Sequence, residues 1–317
     1  MLVTYDDGTQ PSHQSEAIEK LFAHLQSGSD MSQEAILAKL AGSYQEGQKP
    51  PLVAALDRIV TNDPVMIEVK RRIRILAPRS EPVLITGPTG TGKELVATAL
   101  NGTRALKGHP FVTENCAAIP RELTSSVFFG HVKGAYTGAH QDRDGLLVEA
   151  GNGTIFLDEI AEMPLDTQAI LLRAIQENEV RRVGSLKVQR IYCRFVAATK
   201  HNLPLLVEQG KFREDLFARL AVFHLRLPSF ETRPSDIELI ARSIAKSMPG
   251  FVESFEPAEW DAMKLIPQSH YPQVYRYGVR AIQSILAQLD AYGDLDTDVA
   301  EEPRVTIPSI EITATGT

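Results

Sequence analysis

The sequence predicts an α/β fold, in which helices cover both faces of a mainly parallel sheet and a small all-helical subdomain follows. Between about residues 57 and 227, short apolar runs alternate with segments of helical spacing. This alternation favours a parallel sheet, because each parallel neighbour needs a crossover connection. After Leu227-Pro228 the strand-like runs stop and helical spacing continues, which indicates the second subdomain.

The bulk composition is that of a globular chain. It has 317 residues, 43% hydrophobic and 23% charged, enough for one larger and one smaller domain. No run approaches the roughly 18 apolar residues of a membrane span, and the acidic start at Met1 lacks the pattern of a secretory signal. We expect a cytoplasmic protein with no membrane partner, in which Cys116 and Cys193 are small buried hydrophobes.

The charge pattern argues against direct binding of nucleic acid. The net charge is -7, so the chain lacks the basic footprint of a protein that grips nucleic acid by itself. The local basic run Lys70 to Arg74 follows Asp63-Pro64, a typical helix start. We interpret this run as the solvated face of that helix.

The N-terminal segment, residues 1–56, is predicted to be a helical appendage and linker. Helical spacing appears at 17–25 and 36–40, and a Gly- and Pro-containing stretch follows at 47–51.

The next segment, residues 57–227, carries the predicted sheet. Its apolar runs are short enough to be buried strands. They are Val83 to Ile85, Phe111-Val112, Ile155 to Leu157, Phe195 to Ala198 and Val222 to Leu227.

The C-terminal part divides into a predicted helical lid and a tail. Helical spacing at 237–244 and 282–289 places the lid at 228–290. Residues 291–317 are acidic and then rich in Pro and Thr, a composition typical of a disordered tail.

A glycine-rich turn follows the first apolar run and opens a helical segment. Strand, loop and helix in this order form a phosphate-binding loop, because backbone amides and the helix N-terminus surround an anion while the lysine meets the terminal phosphates. A plain glycine turn is the alternative. The candidate nucleotide-binding residues are Gly87, Pro88, Thr89, Gly90, Thr91, Gly92, Lys93, Glu94 and Leu95. Glu94 stands where the usual motif has Ser or Thr as a magnesium ligand.

A second motif is the apolar run that ends in Asp158-Glu159. Carboxylates at the end of a strand can hold Mg²⁺ and polarise an attacking water. We assign the metal to Asp158 and the water to Glu159, with ATP and Mg²⁺ as the expected cofactors. The alternative is a strand that enters a solvated turn.

A third motif, Phe129 to Ala139, resembles the signature loop of sigma-54-dependent transcriptional activators, bacterial enhancer-binding proteins of the AAA+ superfamily. Gly134, Ala135, Tyr136, Thr137, Gly138 and Ala139 match their GAFTGA motif with Tyr for Phe. The similarity covers about residues 57–290 and includes the phosphate loop, Asp158-Glu159, Phe212 to Arg219 and Leu227-Pro228. It implies an AAA+ P-loop core followed by an all-helical lid.

The resemblance implies a role for each segment. The loop at 134–139 would contact sigma-54 during ATP hydrolysis and remodel the closed promoter complex, although a surface turn with an incidental aromatic is the alternative. Arg213 and Arg219 would reach the ATP of a neighbouring subunit, unless they only pair with Glu214 and Asp215.

Three further residues take their roles from the same resemblance. Asn115 would hold the catalytic glutamate away from water, unless it is a buried cap of its strand. Thr199 would lie at the first sensor and Arg280 at the second.

The implied partners are sigma-54 and the RNA polymerase holoenzyme. The implied assembly is a homo-oligomer, typically a hexamer, or a hetero-oligomer with a related activator. Residues 1–56 are too few for a receiver domain, and residues 291–317 do not have the composition of a helix-turn-helix. We therefore expect any DNA contact to be indirect or supplied by a partner.

Several positions depart from the family pattern. Lys200 replaces the usual Asn after Ala-Thr, Val132 stands where Glu is common, and Gln273 to Gly278 lengthens the link before Val279-Arg280. We expect slower or retuned hydrolysis. Three hypotheses remain: an ATP-hydrolysing sigma-54 activator, an AAA+ remodeller of another client, and a weakly hydrolysing nucleotide-gated subunit of a mixed ring.

Overall fold

The computed structural model describes residues 50–105, 107–252 and 263–292. The expected helices at 17–25 and 36–40 lie outside the described residues, as does nearly all of the expected acidic tail. The boundaries 57–227 and 228–290 remain predictions.

Five parallel strands form the main sheet. They are β1 (Val83–Thr86), β2 (Phe111–Asn115), β5 (Thr154–Asp158), β8 (Arg194–Thr199) and β9 (Phe223–Arg226). Their order across the sheet is β2-β5-β8-β1-β9. Each coincides with one of the apolar runs in the sequence, so the predicted α/β fold with a parallel sheet is confirmed.

The register of the strands brings their carboxyl ends to one edge. Thr86 at the end of β1 is paired with Thr199 of β8 and Arg226 of β9. Asn115 at the end of β2 is paired with Asp158 of β5. Residues that follow these strands therefore share one edge of the sheet, where ligands bind in open parallel sheets.

Helices cover the two faces of the sheet. Up to β9 they are α1 (Pro51–Asp57), α2 (Pro64–Leu76), α3 (Lys93–Ala105), α4 (Arg121–Phe129), α5 (Leu146–Glu149), α6 (Leu165–Glu177), α7 (Leu203–Glu208) and α8 (Glu214–Leu220). On one face, α1, α2 and α3 bury a cluster that includes Ile73, Leu100 and Val196. On the other, α4, α6 and α8 bury a second cluster around Phe128 and Leu171. Strands covered on both sides explain why their sequences read as continuous apolar runs.

Helix α2 begins as the sequence predicts. The Asp63 side chain accepts a hydrogen bond from the N–H of Met66, and Pro64 occupies the first turn. Arg71 of the basic run is exposed and pairs with Glu68, which fits a solvated face.

Two short antiparallel pairs were not predicted. They are β3 (Gly130–His131) with β4 (Arg143–Asp144), and β6 (Glu179–Arg181) with β7 (Val188–Arg190). Strands of two or three residues carry no readable alternation. One of these residues, His131 of β3, is buried.

Arg194 is a buried residue at the start of β8 and connects the sheet to helices α2 and α3. It is 1% exposed. Its guanidinium donates to the carbonyl oxygens of Leu76 (2.9 Å), Ala77 (3.3 Å), Leu100 (3.1 Å) and Glu81 (3.3 Å). A cation at the end of α2 satisfies carbonyls that the helix leaves unpaired.

The helical part after β9 has its own core. Its helices are α9 (Ser235–Ala245), α10 (Tyr271–Tyr277) and α11 (Val279–Tyr292). The buried side chains of this part include Ile237 of α9, Ile282 of α11 and Phe251, which lies after α9. The predicted C-terminal helical region is confirmed.

Two further expectations concern burial and hydropathy. Both cysteines are buried and free, as predicted. Across the described residues, no helix combines the length and apolar character that a membrane crossing requires.

We predict that Arg194→Met lowers the free energy of unfolding by about 2 to 4 kcal/mol, because buried carbonyl oxygens lose their donor. Urea denaturation measures this change. The matched control is Arg190→Met, whose exposed side chain faces Glu179 at 3.8 Å and which should cost less than about 1 kcal/mol. Equal losses in the two variants would contradict the structural role of Arg194.

Candidate nucleotide-binding site

The loop between β1 and α3 is held tightly at its first residue. The N–H of Gly87 donates to the carbonyl of Thr199 at 3.3 Å. A Cβ on Gly87 would lie 2.8 Å from the carbonyl oxygen of Leu227. The loop therefore leaves the sheet between β8 and the end of β9, and only glycine fits there.

Within the loop, Gly90 and Gly92 have φ values of 73° and 98°, which favour glycine. Thr91 is buried, and its hydroxyl donates to the carbonyl of Pro88 at 2.8 Å. Helix α3 starts at Lys93, with Glu94 in its first turn. The structure thus reproduces the strand, glycine loop and helix N-terminus that the motif requires.

Lys93 curls back over this loop. Its side chain is 8% exposed, and Nζ donates to the carbonyls of Gly87 (2.9 Å) and Pro88 (3.0 Å). Burial lowers its pKa, while the charges of Glu159 and Asp158 oppose that change. A phosphate oxygen, which is a stronger acceptor than a carbonyl, can take over these hydrogen bonds.

Asp158 and Glu159 follow β5 at the same edge. Oδ1 of Asp158 accepts from the N–H of Glu159 at 3.0 Å. Burial raises the pKa of Asp158. Glu159 adopts a left-handed conformation, with φ 47° and ψ 49°, uncommon for a residue with a Cβ. Such strain concentrates at functional sites.

The carboxylate of Asp158 would suit a magnesium ion shared with a nucleotide. Mg²⁺ is usually bound through one or two carboxylates together with substrate phosphates, not by a full protein cage. Among the residues that the structure describes, no group of three or more His, Cys, Asp and Glu could hold a metal ion without such help. Asp158 matches this requirement for an oxygen ligand, and Glu159 beside it is left for the attacking water.

Thr199, Lys200 and Asn115 complete the edge. Thr199 is fully buried, and its hydroxyl accepts from the N–H of His201 at 3.0 Å. The N–H of Lys200 lies 3.4 Å from Oε2 of Glu159, so the unusual lysine is beside the candidate catalytic carboxylate. Asn115 is exposed, not buried, and accepts from the N–H of Ala117 at 2.9 Å.

The helical part touches the phosphate loop directly. The N–H of Val279 donates to the carbonyl of Gly90 at 3.1 Å. Gly278 has φ 64°, and a Cβ there would lie 2.5 Å from the carbonyl carbon of Gly90. Next to it, the charge of Arg280 acts on both Lys93 and Asp158. The lengthened segment before Val279 therefore still brings Arg280 to the site.

A buried polar network that sequence reasoning missed also joins the two parts. Arg233 donates to the carbonyl of Thr91 (3.2 Å) and to Asp236 (3.3 Å). Asp236 accepts from the hydroxyl of Thr61 at 2.6 Å and from the N–H of Asn62 at 2.9 Å. The start of α9, the phosphate loop and the α1–α2 connection are thereby linked.

The loop at 134–139 projects from the β3–β4 pair. Gly134 and Gly138 have φ values of 81° and 103°, and no atom would meet a Cβ on either. The loop is closed at its base by Gly134 N–H donating to the carbonyl of Ala139 at 2.9 Å. Tyr136 is 38% exposed, with its ring edge-on to His131 and its hydroxyl 3.2 Å from that of Ser126.

The β6–β7 hairpin supports this loop. A Cβ on Gly184 would lie 2.9 Å from the Cβ of Ala135. Arg182 pairs with Asp144 at 2.6 Å and with Asp142 at 3.6 Å. The β3–β4 pair and the β6–β7 hairpin thus both contact the base of the loop.

The candidate arginines lie on a separate segment. Arg213 is the N-cap residue of α8, and Arg219 is in its last turn. Both are exposed. Arg213 forms a bidentate pair with Asp215, at 3.0 and 2.7 Å, one of the pairings considered from the sequence.

The arrangement defines an α/β protein with a P-loop nucleotide site. Lys93, Asp158, Glu159, Thr199, Asn115 and Arg280 come together at one edge of a parallel sheet, whereas the 134–139 loop and the two arginines lie on other elements.

Residues 59–226 match the family model described as the sigma-54 interaction domain. This match covers just over half of the chain, so the chain belongs to that family. Its members are sigma-54-dependent transcriptional activators built on an AAA+ ATPase domain.

Curated relatives agree with this membership. The chain is 40% identical over 235 residues to the transcriptional regulatory protein GlrR of Escherichia coli (strain K12), covering 73% of this chain and 52% of GlrR. It is 44% identical over 211 residues to the DNA-binding transcriptional regulator NtrC of Klebsiella pneumoniae, covering 66% and 45%. The chain spans about half the length of these relatives.

Solved structures agree as well. NtrX from Brucella abortus superposes with a TM-score of 0.64 at 26% identity, covering 90% of this chain and 66% of NtrX. In its complex with ATP the same protein gives a TM-score of 0.60 at 26% identity, covering 90% and 63%.

We predict that Gly278→Ala weakens nucleotide binding about tenfold, because a Cβ would push the helical part away from Gly90, at a cost similar to other overpacking. Gly250→Ala is the matched control, since Gly250 has φ 75° with nothing within 4 Å of a Cβ. Both should lose about 1 to 2 kcal/mol of stability through the positive φ.

Titration with a fluorescent ADP analogue, together with thermal unfolding, separates the two effects. Equal nucleotide affinity in the two variants would show that the contact between Gly90 and Gly278 does not affect the site.

Proposed function

We propose that this chain hydrolyses ATP with Mg²⁺ and uses the reaction to remodel the sigma-54 RNA polymerase closed complex. One observation supports hydrolysis: Lys93, Asp158 and Glu159 lie together at the edge of the sheet where the glycine loop ends. Lys93 would bind the terminal phosphates through Nζ. Glu159 would orient and polarise the attacking water, while Asn115 would restrain Glu159.

Magnesium, held by Asp158 and the phosphates, would neutralise charge on the reacting phosphoryl group. Thr199 and Arg280 would respond to the nucleotide from β8 and from the helical part. Because Arg280 already acts electrostatically on Lys93 and Asp158, we propose that it helps bind the nucleotide. Residues 57–227 and 228–290 would be the two units that the nucleotide joins.

We propose that subunits assemble into a ring, as a homo-hexamer or with a related activator, and that Arg213 and Arg219 act on the neighbour's nucleotide. Within the subunit, Asp215 neutralises Arg213. An exposed pair of this kind is worth little, so a triphosphate can displace Asp215.

The sigma-54 contact is assigned to Gly134, Ala135, Tyr136, Thr137, Gly138 and Ala139. Tyr136 offers an apolar ring on a tip that two positive-φ glycines allow to bend. The loop is held at its base and exposed at its tip, and this arrangement suits a loop that would transmit force to sigma-54. DNA would be reached indirectly or through a partner.

A second candidate function is a nucleotide-gated subunit that hydrolyses weakly within a mixed ring. The exchange of the usual Asn for Lys200 favours it, because the charge of Lys200 acts on Lys93 in the phosphate site.

We predict measurable ATP turnover that Lys93→Ala reduces at least about a hundredfold, since the cation on the terminal phosphates is lost. Lys246→Ala, an exposed lysine at the end of α9, should retain the wild-type rate. Phosphate release measures both. Wild-type turnover no greater than that of Lys93→Ala would refute hydrolysis and leave the gated-subunit function.

We also predict that the protein trapped with a transition-state analogue of hydrolysis retains sigma-54. Thr137→Ala should lower retention at least about tenfold, because few residues form the tip and few residues carry most of the energy of an interface. The control is Thr232→Ala, an exposed threonine in the helical part. Native gels measure retention. Turnover without any retention would instead favour a remodeller of another client.

A further inference from the structure

Gln168, in the first turns of α6, is a fully buried polar side chain, 0% exposed. Its amide nitrogen donates to the carbonyl of Met163 at 2.8 Å and to that of Lys211 at 3.3 Å. Its amide oxygen accepts from the N–H of Arg213 at 2.9 Å. All three partners are backbone groups of two other segments, so Gln168 joins those segments and does more than fill space.

One of these segments is the base of Arg213. Lys211 and Arg213 flank Phe212, which is 2% exposed. Arg213 is the N-cap of α8 and makes no side-chain cap bond, yet its own N–H is satisfied by Gln168. The side chain of Arg213 is 42% exposed. Gln168 thus holds the backbone of Arg213, while the exposed guanidinium pairs only with Asp215 on the same helix.

The other segment leads from Glu159. A 3₁₀ turn spans Ile160–Glu162, and Met163 N–H donates to the carbonyl of Ile160 at 3.2 Å. Met163 O then receives the Gln168 amide. One side chain therefore connects the segment after the candidate catalytic glutamate to the base of Arg213.

A buried amide is costly unless it is fully hydrogen-bonded, and an apolar side chain of the same volume packs without that risk. Where every partner is present, such a group fixes a relative position. A displacement of the order of 1 Å at a catalytic group lowers rates by roughly a hundredfold. The backbone position of Arg213 can therefore affect the rate of chemistry at a neighbour's nucleotide.

We infer that Gln168 is a positioning residue for Arg213, which it places relative to the Glu159 segment of its own subunit. The position in which Arg213 is presented to a neighbouring subunit is thereby determined within its own subunit. This inference rests on the proposed ATPase function and on the action of Arg213 between subunits.

The test is a double-mutant cycle on the full chain. Gln168→Met and Arg213→Ala are made singly and together, and Thr167→Val is the matched control. Thr167 is the adjacent residue, 1% exposed, and its hydroxyl lies 3.1 Å from that of Ser125, away from Arg213. Measurements are kcat and KM for ATP, affinity for labelled ADP, and amide exchange at Arg213.

We expect Gln168→Met to lower kcat by roughly tenfold to a hundredfold, with ADP affinity unchanged within about twofold. Exchange of the Arg213 amide should accelerate. Thr167→Val should leave kcat, ADP affinity and exchange of the Arg213 amide unchanged. In the Arg213→Ala background, Gln168→Met should cause no further loss of kcat. An equal loss in both backgrounds, or an unchanged kcat, overturns the inference.

Gln168→Glu is measured in parallel, so that the inference is still tested if Gln168→Met fails to fold. Gln168→Glu keeps an acceptor for the Arg213 N–H, but its carboxylate cannot donate to the carbonyls of Met163 and Lys211. Its kcat should therefore fall, and this loss should likewise vanish in the Arg213→Ala background. Absent turnover in the wild type would overturn the proposed function instead. In that case, amide exchange at Arg213 still decides whether Gln168 positions it.

Discussion

Parallel pairing of β1 with β8 and β9 is the constraint on which the site depends. Because Thr86 is level with Thr199 and Arg226, the chain leaves β1 at the same edge where β5 ends in Asp158. Gly87 then fits between the Thr199 and Leu227 backbones without a side chain. Strand register thus places the phosphate loop, the two carboxylates and Thr199 at one edge of the sheet, independently of side-chain contacts.

The helical part adds a second constraint, since it meets the loop through backbone as well as charge. Gly278 lies against Gly90, and Arg233 holds the carbonyl of Thr91. A nucleotide that changes the conformation of the phosphate loop must therefore also change the position of the helical part relative to the sheet, or bind with lower affinity. This gives a physical route from phosphate chemistry to movement, consistent with a mechanical role for the 134–139 loop.

The sequence predicted the strands because central parallel strands are continuous apolar runs, and it predicted the start of α2 because Asp63-Pro64 is a local signal. It did not reveal Gln168, Arg194 or Arg233. These residues look solvent-facing in sequence, and each has at least one partner far along the chain, up to 118 residues away for Arg194 and Leu76. Burial of a polar side chain is a tertiary property that local patterns do not contain.

In the proposed function, ATP hydrolysis at Lys93 and Glu159 drives the remodelling of a sigma-54 promoter complex. Permanganate reactivity of promoter thymines, measured with the purified chain, sigma-54 polymerase and ATP, tests it most directly. We expect promoter melting with ATP and none with a non-hydrolysable analogue. ATP turnover without melting, at any protein concentration, would contradict it.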